Sequence, residues 1–408
     1  MNASTTVDER ALRAVAIQFF VNGATIATVV PRLPDLRERV GVSSGTLGVV
    51  LTVGCLASLV GVLFAGRVVA RAGSRRVLIY GAVLSIGFLP VIGFATAPAV
   101  LALGLFGLLF FDIFIDVAMN VQGSALSARH HTPVMNRLHG LWSLGAVSGG
   151  LVTVAALRAD VSVTVQFTVV AIVLIAVLRL VAPGLLRNDE VPTLETSPVE
   201  RSASPPSHPT PPQRSESAPP RSSAGVVSYA GLVLGVGGAA AMSIEMTNTD
   251  WAAFRLGDDL GAAPGVAGLG FVIFSGAMTV GRLSGDWVQV RVGPTALIRG
   301  ASVLVAIGAV LATLVASVPV SIVGFLIGGI GTAVLFPQLY DRAARWPGRP
   351  GSGFAAMLIG QRGSSVVSPA LVGALADTDA LSVGQAMAIL IIPASLAIMA
   401  TTFARPPG

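Results

Sequence analysis

Runs of about twenty apolar residues recur twelve times along this chain, and a helix of that length just crosses the hydrocarbon core of a bilayer. The candidate spans lie near residues 12–32, 46–66, 77–97, 100–122, 138–157 and 162–182, then near 227–249, 264–285, 295–316, 319–340, 353–376 and 380–403. Lipid offers the backbone no hydrogen bonds, so only closed barrels and helices survive there, and runs this long are helical. The expected fold is therefore an all-α membrane protein of about twelve transmembrane helices in two six-helix bundles. Composition agrees: 53% of the 408 residues are hydrophobic and only 11% are charged. A mean hydropathy of +0.80 leaves too little polar surface for a water-soluble fold.

The formal net charge of +6 does not imply a nucleic-acid partner. All the basic residues are arginine, and they sit in short clusters between apolar runs instead of on one solvated face. Without lysine no phosphate-cradling Walker loop can form, so intrinsic ATP hydrolysis is not expected. The one cysteine, Cys55, lies inside an apolar run, which excludes an intrachain disulfide. His130, His131 and His139 lack metal-binding spacing, and neither metal nor cofactor is expected. A membrane enzyme would need nucleophile and base at one depth, an arrangement the sequence does not show.

Residues 187–224 divide the chain. They are rich in Pro and Ser, carry mixed charge, and cannot bury enough apolar area to offset the entropy of ordering. They read as a disordered linker between an N-terminal bundle (1–186) and a C-terminal bundle (225–408). The loops at 66–76 and 123–137 are basic without acids, as are the segments holding Arg291 and Arg299, and Arg342, Arg345 and Arg349. By the positive-inside rule these loops, both termini and the linker are cytoplasmic, and the protein sits in the inner membrane. The two halves also repeat at an offset of 220 residues. Gly41, Gly45 and Gly48 fall on Gly261, Gly265 and Gly268, Gly61 on Gly281, and Arg71 and Gly73 on Arg291 and Gly293. Parallel six-helix repeats about an axis along the membrane normal are a transporter architecture, with the solute site between the halves.

The repeated loop GRVVARAGSRR (Gly66 to Arg76) resembles the loop between the second and third helices of the major facilitator superfamily, although Ala70 stands where that family usually has an acid. The second copy, GRLSGDWVQVRVG (Gly281 to Gly293), keeps an acid at Asp286. DVAMNVQG (Asp116 to Gly123), LHGLWSLGAVSGG (Leu138 to Gly150), the Glu245 to Trp251 segment and PQLYDRA (Pro337 to Ala343) are similar to a bacterial branch related to the fucose permeases. The resemblance implies that Arg67, Arg71, Arg282 and Asp286 form a cytoplasmic gate; a purely topological role for the arginines is the competing reading.

Ionisable groups inside a span are costly, so each is a functional candidate. Asp112, Asp116 and Asn120 follow at intervals of four in the fourth span and share one helix face. Two carboxylates one turn apart repel when both are ionised, an arrangement suited to loading and releasing a proton. In the resembled permeases a fourth-helix carboxylate is linked to proton coupling, which points to Asp116, then Asp112. Glu245 in the seventh span is the counterpart in the second half, with Asp250 and Trp251 expected at the outer interface. Arg362, deep in the eleventh span, needs a carboxylate partner or an anionic solute group. Asn22, Asn120, His139 and Trp142 complete the expected cavity. Gly145, Gly149 and Gly150 partly resemble the antiporter signature of the superfamily's drug exporters, without its proline.

The expectation is a proton-coupled secondary transporter, acting as a monomer on a small polar or amphiphilic molecule, with export favoured over sugar or polyol uptake. A sensor or scaffold on the same fold is the reading of another class.

Overall fold

The computed structural model describes residues 3–130, 134–187, 229–344 and 352–404. Most of the expected linker, and Arg345 and Arg349, lie outside these residues. Among the described residues twelve helices are sixteen residues or longer, joined by shorter helical segments. The first six are α1 (Ala3–Val29), α2 (Ser44–Ala72), α3 (Ser74–Gly93), α4 (Pro98–His130), α5 (Met135–Arg158) and α6 (Val163–Val181). The second six are α7 (Tyr229–Phe254), α8 (Leu269–Val292), α9 (Pro294–Ala309), α10 (Val318–Ala333), α11 (Ser352–Ala376) and α12 (Val383–Thr401). Ten spans among the described residues are long and apolar enough to cross a membrane. α4 extends eight residues past the expected end at 122, because its apolar face continues through Ala125 and Leu126 into the interior.

The 220-residue repeat is visible in backbone conformation. Gly41 and Gly261 have φ of 70° and 64°, and Gly73 and Gly293 have φ of 86° and 79°, a region that side chains with a Cβ rarely enter. Ser162 and Ser382, again 220 apart, cap α6 and α12 with their side-chain oxygens. The same local solution ends the same helix in each half.

Repeated glycines also set where the halves touch. At the end of the bundle opposite the chain termini, Gly48 of α2 lies against the Pro369 backbone of α11, and Gly373 of α11 lies against Ser44. Gly268, the counterpart of Gly48, meets Val154 and Pro31 of the other half, and Gly265, the counterpart of Gly45, meets Arg158. Ala27, Ala146, Val154, Phe271 and Val272 pack into a small apolar cluster across the same seam. Arg37, in the short helix Leu33–Val40, bonds Asp258 just beyond α7 and locks the two halves together there. At the end carrying the termini, Gly66 of α2 has nothing within 4 Å of where a side chain would start.

Within the halves, small residues again bring helices close. On α11 the Cβ of a residue at Gly360 would lie 1.9 Å from the Gly235 carbonyl of α7, while nothing comes within 4 Å at Gly363. Gly360→Leu is therefore expected to destabilise the bundle by about 3 kcal/mol, at the upper end of overpacking costs. Gly363→Leu should leave the thermal unfolding of the detergent-solubilised protein unchanged, and equal losses in the two variants would refute the assigned packing.

Candidate functional site

A cavity of about 300 Å³ lies on the seam between the halves, walled by α1, α2, α4 and α5 on one side and α7, α8 and α11 on the other. Its placement follows from helix periodicity. Met242, Glu245, Met246 and Thr249 stand at i, i+3, i+4 and i+7 on α7, with Asp250 beside them. Phe271, Ser275, Met278, Thr279 and Arg282 make the matching stripe on α8. Most of the wall is apolar. Its ionisable side chains, apart from the Cys55 thiol, are Glu245, Asp250, Arg282 and Arg362.

Arg282 donates to Glu245 at 3.4 Å, joining α8 to α7 inside the cavity. Sequence grouped Arg282 with the cytoplasmic gate; the structure places it in the wall of the cavity, bonded to Glu245. Asp286, one turn further along α8, is exposed, as are Arg67 and Arg71 on α2. Arg67 bonds the Leu63 carbonyl of its own helix. Arg362 also lines the cavity, and no described carboxylate comes within 4 Å of its guanidinium. Gln361 beside it turns elsewhere and accepts from the Tyr340 hydroxyl at 3.1 Å.

The acids of α4 stand behind this chamber and are not part of its wall. Asn120 donates to the Asp116 carboxylate at 3.0 Å and to its backbone carbonyl at 2.8 Å, the one-turn pairing expected from their spacing. His139 of α5 and Arg362 of α11 both lie within electrostatic reach of Asp116. His139 meets the Phe19 ring edge-on with centroids 5.3 Å apart. Asp112 sits beside Asn22 of α1, and its second oxygen is buried without a hydrogen-bond partner among the described residues. The amide of Gln18, one turn from Asn22, is likewise buried and unpartnered among them. Asn22 itself is buried and does not reach the chamber, whereas Trp142 does.

Asp250 and Trp251, expected at the outer interface, both turn into the protein. Trp251 is 0% exposed and packs on Phe254, and Asp250 is buried and faces the chamber. The helical stripe through Met242, Glu245 and Thr249 carries the signal that would have placed Asp250 inside. Cys55 also reaches the chamber, from α2.

The Major Facilitator Superfamily profile matches residues 15–224, just over half of the chain. The chain belongs to the Major Facilitator Superfamily. Among relatives, an uncharacterised MFS-type transporter of Yersinia pestis is 28% identical over 95% of this chain and 94% of its own length. The uncharacterised transporter y4wD of Sinorhizobium fredii is 28% identical over 90% and 91%, and the membrane protein MosC of Rhizobium meliloti is 27% identical over 96% and 89%. Among solved structures, the nucleoside transporter NupG superposes with a TM-score of 0.70 at 12% identity, covering 97% of this chain and all of that one. A bacterial homologue of the human lysosomal transporter Spinster, inward-facing and unoccupied, gives 0.69 at 13% identity, covering 97% and 94%. At those identities the superpositions establish fold alone. The superfamily architecture accounts for the seam chamber between two six-helix halves, and the protein is a multi-pass membrane transporter, not an enzyme.

Proposed function

We propose that this transporter couples proton movement to transfer of a small amphiphilic organic molecule across the inner membrane by alternating access, acting as a monomer with both termini cytoplasmic. The supporting observation is the placement of Asp116: a carboxylate held by Asn120 just behind the solute chamber, with His139 and Arg362 in electrostatic reach. A proton gained or lost at Asp116 changes the field on Arg362, which lines the chamber. That shared field is the physical link between proton and substrate. Asp112, beside Asn22, is the second proton site, and the Glu245–Arg282 pair connects the same chamber to α7 and α8. In this reading the end joined by Arg37 and Asp258 is the outer face, the opposite end opens toward the cytoplasm, and Arg67, Arg71 and Asp286 act when that end closes in turn.

Reconstituted protein tests this directly. Vesicles loaded with a pH-sensitive dye, under an imposed pH gradient, should show proton movement that depends on an added solute from a panel of small organic molecules. Asp116→Asn should abolish that movement while leaving solute exchange intact. Proton movement in Asp116→Asn equal to the parent would overturn the assignment. The α5 glycines lean toward export and the fucose-permease-like segments toward uptake, and the sign of the dye response decides between them. Gly145 and Gly149 already have a packing use, since they lie against the backbone of Phe20 and Ala24 in α1.

A further inference from the structure

Among the described residues on the chamber wall, one basic and one acidic side chain form no ion pair with another wall residue; Asp116, behind the wall, acts on Arg362 only through its field. Of the four ionisable side chains on that wall besides Cys55, Glu245 and Arg282 pair with each other. Arg362 has no described carboxylate within 4 Å. Among the described residues the Asp250 carboxylate receives only the hydroxyl of its neighbour Thr249, at 3.4 Å. These two do not pair with each other because they stand at different depths. Gly360 of α11 meets α7 between Gly235 and Ala239, so Asp250 lies about three turns further from the terminal end than the level of Arg362. Cys55 of α2 is in electrostatic reach of both. The wall separating them is apolar and adaptable, with Met242, Met246 and Met278.

Unpaired charges of opposite sign facing one enclosed space are costly unless a ligand completes them. From this we infer that the chamber takes a zwitterion, its acidic group on Arg362, its amine on Asp250 and an apolar body along the methionines. The inference rests on the transporter reading and narrows its substrate class. Long ω-amino acids carry that pattern in its simplest form.

Binding to the full chain in detergent separates the two contacts. The probes are 8-aminooctanoate, octanoate and octylamine, each followed by its effect on the unfolding temperature and by protection of Cys55 from N-ethylmaleimide. Each charge contact should contribute about tenfold in affinity, so the zwitterion binds at least that much tighter than either single-charge analogue. Arg362→Gln should erase the preference for the zwitterion over octylamine, and Asp250→Asn its preference over octanoate. Arg362→Lys, which keeps the charge, should retain most of the preference and shows that the chain still folds. Equal affinity for the three probes, binding of none of them, or unchanged preferences in both neutral variants would overturn the inference. Solute-dependent proton movement that vanishes in Asp116→Asn would stand regardless, so this inference can fail without the transporter reading failing.

Discussion

Glu245→Gln is expected to cut solute-driven proton movement by about tenfold or more while the protein still inserts and purifies. A hydrogen bond between charged groups contributes about 1.5–3 kcal/mol, which is about 10- to 100-fold in a binding constant. The side chains of Arg282 and Glu245 are 30% and 22% exposed to the chamber, so water screens the pair and the lower part of that range applies. The loss has two parts. Arg282 is left as an uncompensated cation in a narrow space, and the chamber gains a net positive charge that weakens binding of any cationic group. The exchanged pair, Glu245→Arg with Arg282→Glu, restores the contact but moves each charge to the other helix. It should recover thermal stability and not transport. Recovery of both would show that the pair serves packing alone.

The second large effect is conformational. Arg37 binds Asp258 through both terminal nitrogens, also bonds Ser44 at 3.0 Å, and lies over the Phe254 ring at 5.1 Å. This clamp joins the first half to the second on the side already closed by Gly48 and Gly373. A bidentate, partly shielded arginine–carboxylate contact is stronger than an exposed one. Arg37→Ala combined with Asp258→Ala should remove about 1–2 kcal/mol from the closed end opposite the termini, shifting the population of molecules open at that end by about 5- to 30-fold. A single distance across that end, between spin labels on α2 and α11, reads the shift. An unchanged distance distribution would mean that glycine packing alone holds the face shut.

The sequence made the architecture readable because lipid simplifies the problem: apolar length counts helices, arginine position orders the loops, and equal spacing betrays the duplication. Gly41 and Gly261 adopt the same backbone conformation for the same reason they align. Part of the chamber was readable as well, through the cost of charges in lipid, which singled out Glu245 and Arg362. What escaped was depth and rotation. Asp250 and Trp251 lie one helical turn and more past Glu245, and hydropathy places such residues at a boundary; a helix that continues with its π-helical turn over Arg255–Asp259 carries them inside instead. Arg282 shows the converse. Its loop resembles a cytoplasmic gate, yet the rise of α8 sets it at the level of Glu245, because contact between helices depends on their relative register and no single span encodes that. Asn22 was assigned to the solute wall from polarity, whereas the rotation of α1 turns it toward Asp112.

Chemical labelling of Cys55 measures the central arrangement most directly, since it is the sole cysteine of the chain and reaches the seam chamber from α2. With the outer face closed, a membrane-impermeant thiol reagent should modify it in inside-out vesicles and much more slowly in right-side-out ones. Modification by lipid-soluble reagents alone, with none by water-soluble reagents from either side, would place Cys55 against acyl chains and contradict a water-reached chamber between the two halves.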